Sequence, residues 1–214
     1  MKKLSDKGYK GLVIIVDDLD KMITRPMKDT GVTTSEYLFI NRHPQISAFQ
    51  CHTIYTMPLE LVYSHSEQTI ANLFGGHPSV IPMSKIREKP PSQKEIPEGM
   101  KKFREVIQKR LNQAGVDSEE VFEEEIQNSL IKLSGGQPSE LMIIMREALI
   151  SSGLPITQQS VETAKRRGRE AYRRQIKTDH WPVIEEVREK GQFRQDRDRE
   201  NVIRELLNSR AILQ

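Results

Sequence analysis

The segment GLVIIVDD, residues 11–18, limits what this chain can fold into more than any other. Leu12 to Val16 are five consecutive apolar residues, four of them β-branched, opened by glycine and closed by two aspartates. A helix needs about ten or more residues and a half-buried strand alternates, so this run predicts a strand buried on both faces of a parallel sheet. Parallel strands need a long crossover, and the following sequence has that rhythm. Lys21 to Thr34 carries Pro26 and Gly31 without sustained periodicity and reads as a loop, with a short helix expected over 37–49. CHTIYTMP (51–58) is a second strand stopped by Pro58, and LELVYSHSEQTIANLF predicts a helix up to Gly75 and Gly76. SVIPMSKI (79–86) is a third strand candidate, weakened by Pro82. The first part is therefore expected to be α/β, with about half of an open parallel sheet.

The proline-rich stretch KPPSQKEIPEG (89–99) marks a change of character. Beyond it, Met100, Phe103, Ile107 and Leu111 share one helical face, as do Val121, Phe122, Ile126, Leu130 and Leu133 over 118–133. SGGQPSELMIIMREALISSG places Pro138 at the first position of a further helix that is apolar through Leu141, Ile144, Met145 and Leu149. Thr157 or Ser160 can cap a longer helix through Lys177. WPVIEEVREKG and residues 198–214 then have the outline of a helix-turn-helix, with AILQ as the possible start of a β-ribbon. The expected organisation is 1–96, half of a sheet-based core; 97–154, a helical lid; 155–178, a linker helix; and 179–214, a partial winged-helix element.

No apolar run approaches the ~20 residues that span a bilayer, and Met1-Lys2-Lys3 is followed by polar residues, so no membrane role and a cytoplasmic location are expected. Cys51 is the only cysteine and reads as a buried strand residue. Five scattered histidines show no ligand spacing. The net charge of +3 conceals two blocks. Residues 117–125 hold six acids and no base, while 165–177 hold seven bases and one acid.

GLVIIVDDLDK, the strand CHTIYTMP one helix later, and LSGGQPSELMIIMREAL in a helical region occur in the order of the Walker B, sensor 1 and sensor 2 segments of AAA+/STAND-type P-loop ATPases. Together they cover about residues 9–150, and the chain resembles the branch of origin-recognition, STAND and KAP-like ATPases. The resemblance implies that Asp17 orients a magnesium ion through its water, Asp18 polarises the attacking water, and Thr56 senses the γ-phosphate of ATP. It also implies that Gly135, Gly136 and Pro138 come close to the nucleotide. Ser139 stands where that family usually places a basic residue, and Arg146 is a poor substitute for it.

No G-x-x-x-x-G-K-[ST] loop occurs in the sequence, so the cradle of backbone N–H groups that wraps phosphates is missing. The chain is therefore expected to be a fragment, a split-gene half or a degenerate paralogue, inactive in hydrolysis by itself, with the P-loop in an N-terminal half or a partner chain. Missing strands favour self-association. The alternative function is a non-enzymatic DNA- or protein-binding module, in which Lys165, Arg166, Arg167, Arg169, Arg173 and Arg174 contact phosphates, with Tyr172 to stack and the acidic 117–125 stretch as a competing internal partner.

Overall fold

Val13–Val16 (β1) and His52–Tyr55 (β2) pair in parallel, Val13 opposite His52 through Val16 opposite Tyr55. They form a two-stranded sheet in a computed structural model that describes residues 6–194, 196–209 and 211–212. The crossover is helical. Thr33 caps the short helix α1 (Thr34–Glu36): its hydroxyl accepts from the Glu36 N–H while the Glu36 carboxylate accepts from the Thr33 N–H. A wider π-turn at Tyr37–Asn41 buries Phe39 completely, and α2 (His43–Ile46) leads back to β2. Phe39, Leu61 and Ile70 form the local core, with Leu19, Leu38, Ile40, Ile46, Tyr55 and Met57 against it.

The expectation that β1 is buried on both faces is corrected. Ile14, Val16, Thr53 and Tyr55 are half-buried on one face, while Val13 (53% exposed), His52, Ile15 (67%) and Ile54 (54%) lie bare on the other. Strand residues alternate between faces, and a two-stranded sheet with helices on one side leaves its other side without a cover. SVIPMSKI is also corrected: no strand forms over 79–86, and only an isolated antiparallel bridge joins Arg87 to Glu95. Pro82 removes a ladder donor there, and Ile81, 91% exposed, ends one compact unit while Ile86 is buried in the core of the next. Cys51, expected inside a strand, is half-buried and precedes β2.

The helix expected over 59–74 is broken into α3 (Leu59–Val62) and α4 (Glu67–Phe74). The Ser64 hydroxyl donates to the Leu61 carbonyl and accepts from the Ser66 N–H, the local polar alternative to helical bonding that serines offer. The 118–133 helix likewise divides. Asp117 caps α6 (Ser118–Val121) after α5 (Pro97–Ala114), and extended Phe122 intervenes before α7 (Glu124–Leu133). Pro138 does open a helix, α8 (Pro138–Ser152), and Thr157 and Ser160 together form the capping box of α9 (Gln158–Gln175).

The chain divides into two compact units, Met1–Ile81 with Arg194–Arg210, and Pro82–Phe193 with Ala211–Gln214. The second unit is a helical cluster whose core takes Met100, Phe103 and Ile107 from α5, Leu130 and Ile131 from α7, Leu141, Ile144 and Ala148 from α8, and Val161 and Ala164 from α9. It also contains α10 (Trp181–Lys190). The following helix, α11 (Glu200–Asn208), buries Ile203, Leu206 and Leu207 and packs on α3 in the first unit. The two helices of the expected helix-turn-helix thus belong to different units and are not seen as one element. Residues 213 and 214 of the expected ribbon lie outside the described residues. Helix makes up 57% of the described residues, so the α/β expectation survives as one small parallel sheet in a mostly helical chain. Among the described residues no helix is long and apolar enough to cross a membrane.

Candidate functional site

At the carboxyl edge of the sheet the ladder runs one step past the strands: the Thr56 N–H donates to the Val16 carbonyl at 3.1 Å. That bond places the Thr56 side chain beside the turn that follows β1, where its hydroxyl accepts from the Leu19 N–H at 3.0 Å. The structure therefore brings together Asp17, Asp18 and Thr56, three residues singled out from the sequence. Asp18 adopts the left-handed conformation (φ 66°), which aspartate tolerates better than most residues, and its N–H donates to Asp17 Oδ1 at 2.8 Å. The tight turn this makes lets Asp20 join the pair. Oxygens of Asp17, Asp18 and Asp20 lie within 4.8 Å of one another, and all three residues are exposed.

Lys21 is the counter-charge of this corner. Its ammonium bonds the Asp18 carboxylate, and that hydrogen bond, reinforced by the charges of Asp18, Asp20 and Asp17, holds its pKa above the ordinary lysine value. Three carboxylates converging from one turn are hard oxygen donors, the kind that hold magnesium. Their exposure, and the engagement of Asp17 with the Asp18 N–H, fit an ion held through its water shell rather than a dehydrated one.

The glycine motif sits in the other unit and has a clear structural reason. Gly135 and Gly136 follow α7 with φ of 62° and 89°, and a Cβ on Gly136 would lie 2.2 Å from the Ser84 carbonyl oxygen. Gly136 therefore needs glycine for both its backbone conformation and its close approach. Pro138 stands at the start of α8, where its missing N–H costs nothing. Arg146 is exposed and pairs with the neighbouring Glu147 at 3.3 Å.

On α9, Lys165 pairs with Glu162 at 3.0 Å and Arg167 with Glu147 at 3.1 Å. Arg166, Arg169, Arg173 and Arg174 are exposed and, among the described residues, have no ion-pair partner. From the acidic stretch, Glu124 lies 4.0 Å from Arg104, and no ion pair joins the stretch to these arginines among the described residues. Tyr172, expected to be available for stacking, is half-buried and already engaged.

Sequence reasoning missed a polar network in the first unit. Glu36 accepts from the Thr33 N–H (2.9 Å), the Thr33 hydroxyl (2.8 Å) and the Ser66 hydroxyl (2.8 Å), with Arg204 of α11 at 3.9 Å. Arg204 also bonds Glu200 at 3.2 Å, and Glu200 is 2.7 Å from His65 Nδ1. Glu60, 3% exposed, accepts from the Thr24 hydroxyl. Burial pushes Glu60 above the usual carboxylate range, against the pull of Thr24, its own N–H, Arg204 and Ser35. Burial would do the same to Glu36, but the Thr33 and Ser66 donors and the Arg204 charge together bring it below that range. No buried side-chain nitrogen or oxygen among the described residues lacks a partner, so the network reads as a satisfied clamp rather than a reactive centre. TTSE, residues 33–36, was the one legible trace of it, as a capping-box pattern.

No protein-family model, no curated protein and no solved structure matches the chain.

Proposed function

We propose that this chain is the part of an AAA+/STAND-like ATP-binding protein from the Walker B strand through the helical lid, acting as a nucleotide-dependent molecular switch whose phosphate-binding loop is supplied by another segment or a partner chain. One observation carries the reading. Two parallel neighbouring strands end in Asp17-Asp18 and Thr56, and the Leu19 N–H ties the threonine hydroxyl to the turn that holds the acids. Ligands of open α/β sheets bind at this carboxyl edge.

In this reading Asp17 holds a hydrated magnesium ion, Asp18 orients a water, and Thr56, accepting from Leu19, keeps its hydroxyl proton to donate to a phosphate oxygen. The magnesium ion would supply charge neutralisation on the phosphates. Residues 97–154 serve as the lid, hinged at Gly135, Gly136 and Pro138, and the change passes to the basic helix and the C-terminal segment. Remaining strands would extend the sheet at its edges, and their crossover helices would cover the bare face of Val13, Ile15 and Ile54. The chain alone is not competent for hydrolysis.

Manganese titration followed by amide NMR tests the site directly. Broadening confined to residues 17–21 and 56, lost in Asp17→Asn/Asp18→Asn, is expected; broadening elsewhere, or none, removes the metal assignment. Calorimetry with ATP and magnesium is expected to show no saturable binding to the chain alone. Saturable binding that survives Asp17→Ala would overturn the assignment. The unpaired arginines of α9 favour a competing reading, a non-enzymatic module that binds DNA or protein.

A further inference from the structure

We infer that the exposed arginine ridge of α9 binds the phosphate backbone of duplex nucleic acid. At about 100° per residue, Arg166, Arg169 and Arg173 fall within roughly 60° of arc, and Arg174 lies outside it, about 80° from Arg166. Ser160, Val161 and Ala164, the buried residues of the helix, lie on the opposite side. The ridge is thus turned away from the core of its own unit. Lys165 and Arg167, outside that arc, are neutralised by Glu162 and Glu147, while the three arginines within it, and Arg174 on the flank near Arg167, have no ion-pair partner among the described residues. An amphipathic helix that only needs solubility gains nothing from four unpaired like charges over two and a half turns, because they repel one another.

The chemistry of the ridge selects its partner. Arg166 to Arg173 spans about 10.5 Å of helix, a length over which a duplex presents about six phosphates. Guanidinium forks match phosphate oxygens bidentately, which lysines do not. The same face carries Gln159, Glu162, Thr163 and Glu170 and no large apolar side chain to enter a bilayer. Base stacking on single strands needs an exposed aromatic ring, and Tyr172 is half-buried and engaged. Among the described residues no ion pair joins the acidic 117–125 stretch to the ridge, and its Glu124 lies 4.0 Å from Arg104.

Fluorescence anisotropy with a mixed-sequence 25-base-pair duplex tests this on the whole chain. Three or four phosphate contacts at about 0.9 each in salt slope predict about 40- to 150-fold weaker binding at 200 mM than at 50 mM salt. Arg166→Gln/Arg169→Gln/Arg173→Gln/Arg174→Gln is expected to flatten that slope and lose most of the affinity at 50 mM. Lys94→Gln/Lys101→Gln/Lys109→Gln/Arg110→Gln, which removes the same charge from exposed positions elsewhere in the unit, is expected to keep both within about threefold. Circular dichroism melts confirm that both variants fold. The inference is overturned by absence of binding at 50 mM salt, by equal losses in the two variants, by tighter binding to the single strand, or by capture on phosphatidylserine vesicles without duplex binding.

Discussion

Gly136 shows how narrowly a single residue can be specified. Its φ of 89° disfavours any side chain, and the Ser84 carbonyl 2.2 Å from where a Cβ would sit forbids one outright, whereas Gly135 has a positive φ but open space. Gly136→Ala is expected to destabilise the chain by about 2–4 kcal/mol and Gly135→Ala by about 1 kcal/mol in urea unfolding. Equal costs would mean that the turn relaxes around the added methyl. At the other unit's corner, Thr56→Val leaves the half-buried Leu19 N–H without its acceptor at a cost of about 1 kcal/mol, and Thr56→Ser should restore most of it. If valine costs nothing, the bond from Leu19 does not organise the acidic turn.

At the scale of elements, α11 is held on the first unit by an apolar face and by Arg204, whose charge acts on Glu36 and Glu60, two carboxylates with opposing titrations. The folded-state pKa of Glu36 is lowered, so the stability it contributes is present above its unfolded value and is lost as pH falls through its folded value. Glu60 has a raised pKa, so its contribution is complete below its unfolded value and is lost as pH rises through the folded one. Glu36→Gln is accordingly expected to destabilise by about 1–2 kcal/mol at pH 7, with the difference vanishing in acid. Glu60→Gln should be neutral or stabilising at pH 7, because the amide oxygen still accepts from Thr24 without a buried charge. Melting temperatures of the two variants across pH 3.5 to 8 check both signs, and parallel curves would refute the opposition. The helix breaks at Ser64 and Phe122 also belong to this scale: hydrophobic periodicity continued through both, while serine hydrogen bonding and the burial of adjacent Val121 and Phe122 ended the helices.

For the whole molecule the governing fact is a parallel sheet of two strands with Val13, Ile15 and Ile54 bare on one face. So small a sheet draws its stability from the helices on its covered side, and its open side exposes neighbouring apolar side chains, the kind of surface that favours association. Ile15→Glu/Ile54→Glu should therefore leave the unfolding free energy within about 0.5 kcal/mol per site while reducing concentration-dependent association in sedimentation velocity. A marked loss of stability would show that this face is packed in the folded protein.

Much of this was legible in local pattern. The β-branched run closed by aspartates, the second strand stopped by Pro58, Pro138 opening α8 and the Thr157 cap of α9 are encoded within a few residues, because steric and capping preferences act at that range. Asp17, Asp18 and Thr56 were singled out through the family resemblance, and parallel pairing of two recognisable strands brings their carboxyl ends together. What no local pattern held was decided by packing: one sheet face is bare, 79–86 runs between units instead of joining the sheet, and α10 and α11 part company. The Glu36, Glu60 and Arg204 clamp spans more than 140 residues of sequence. Such contacts depend on which surfaces meet once the chain has collapsed, and hydrophobic burial, being non-directional, leaves that choice to the tertiary structure.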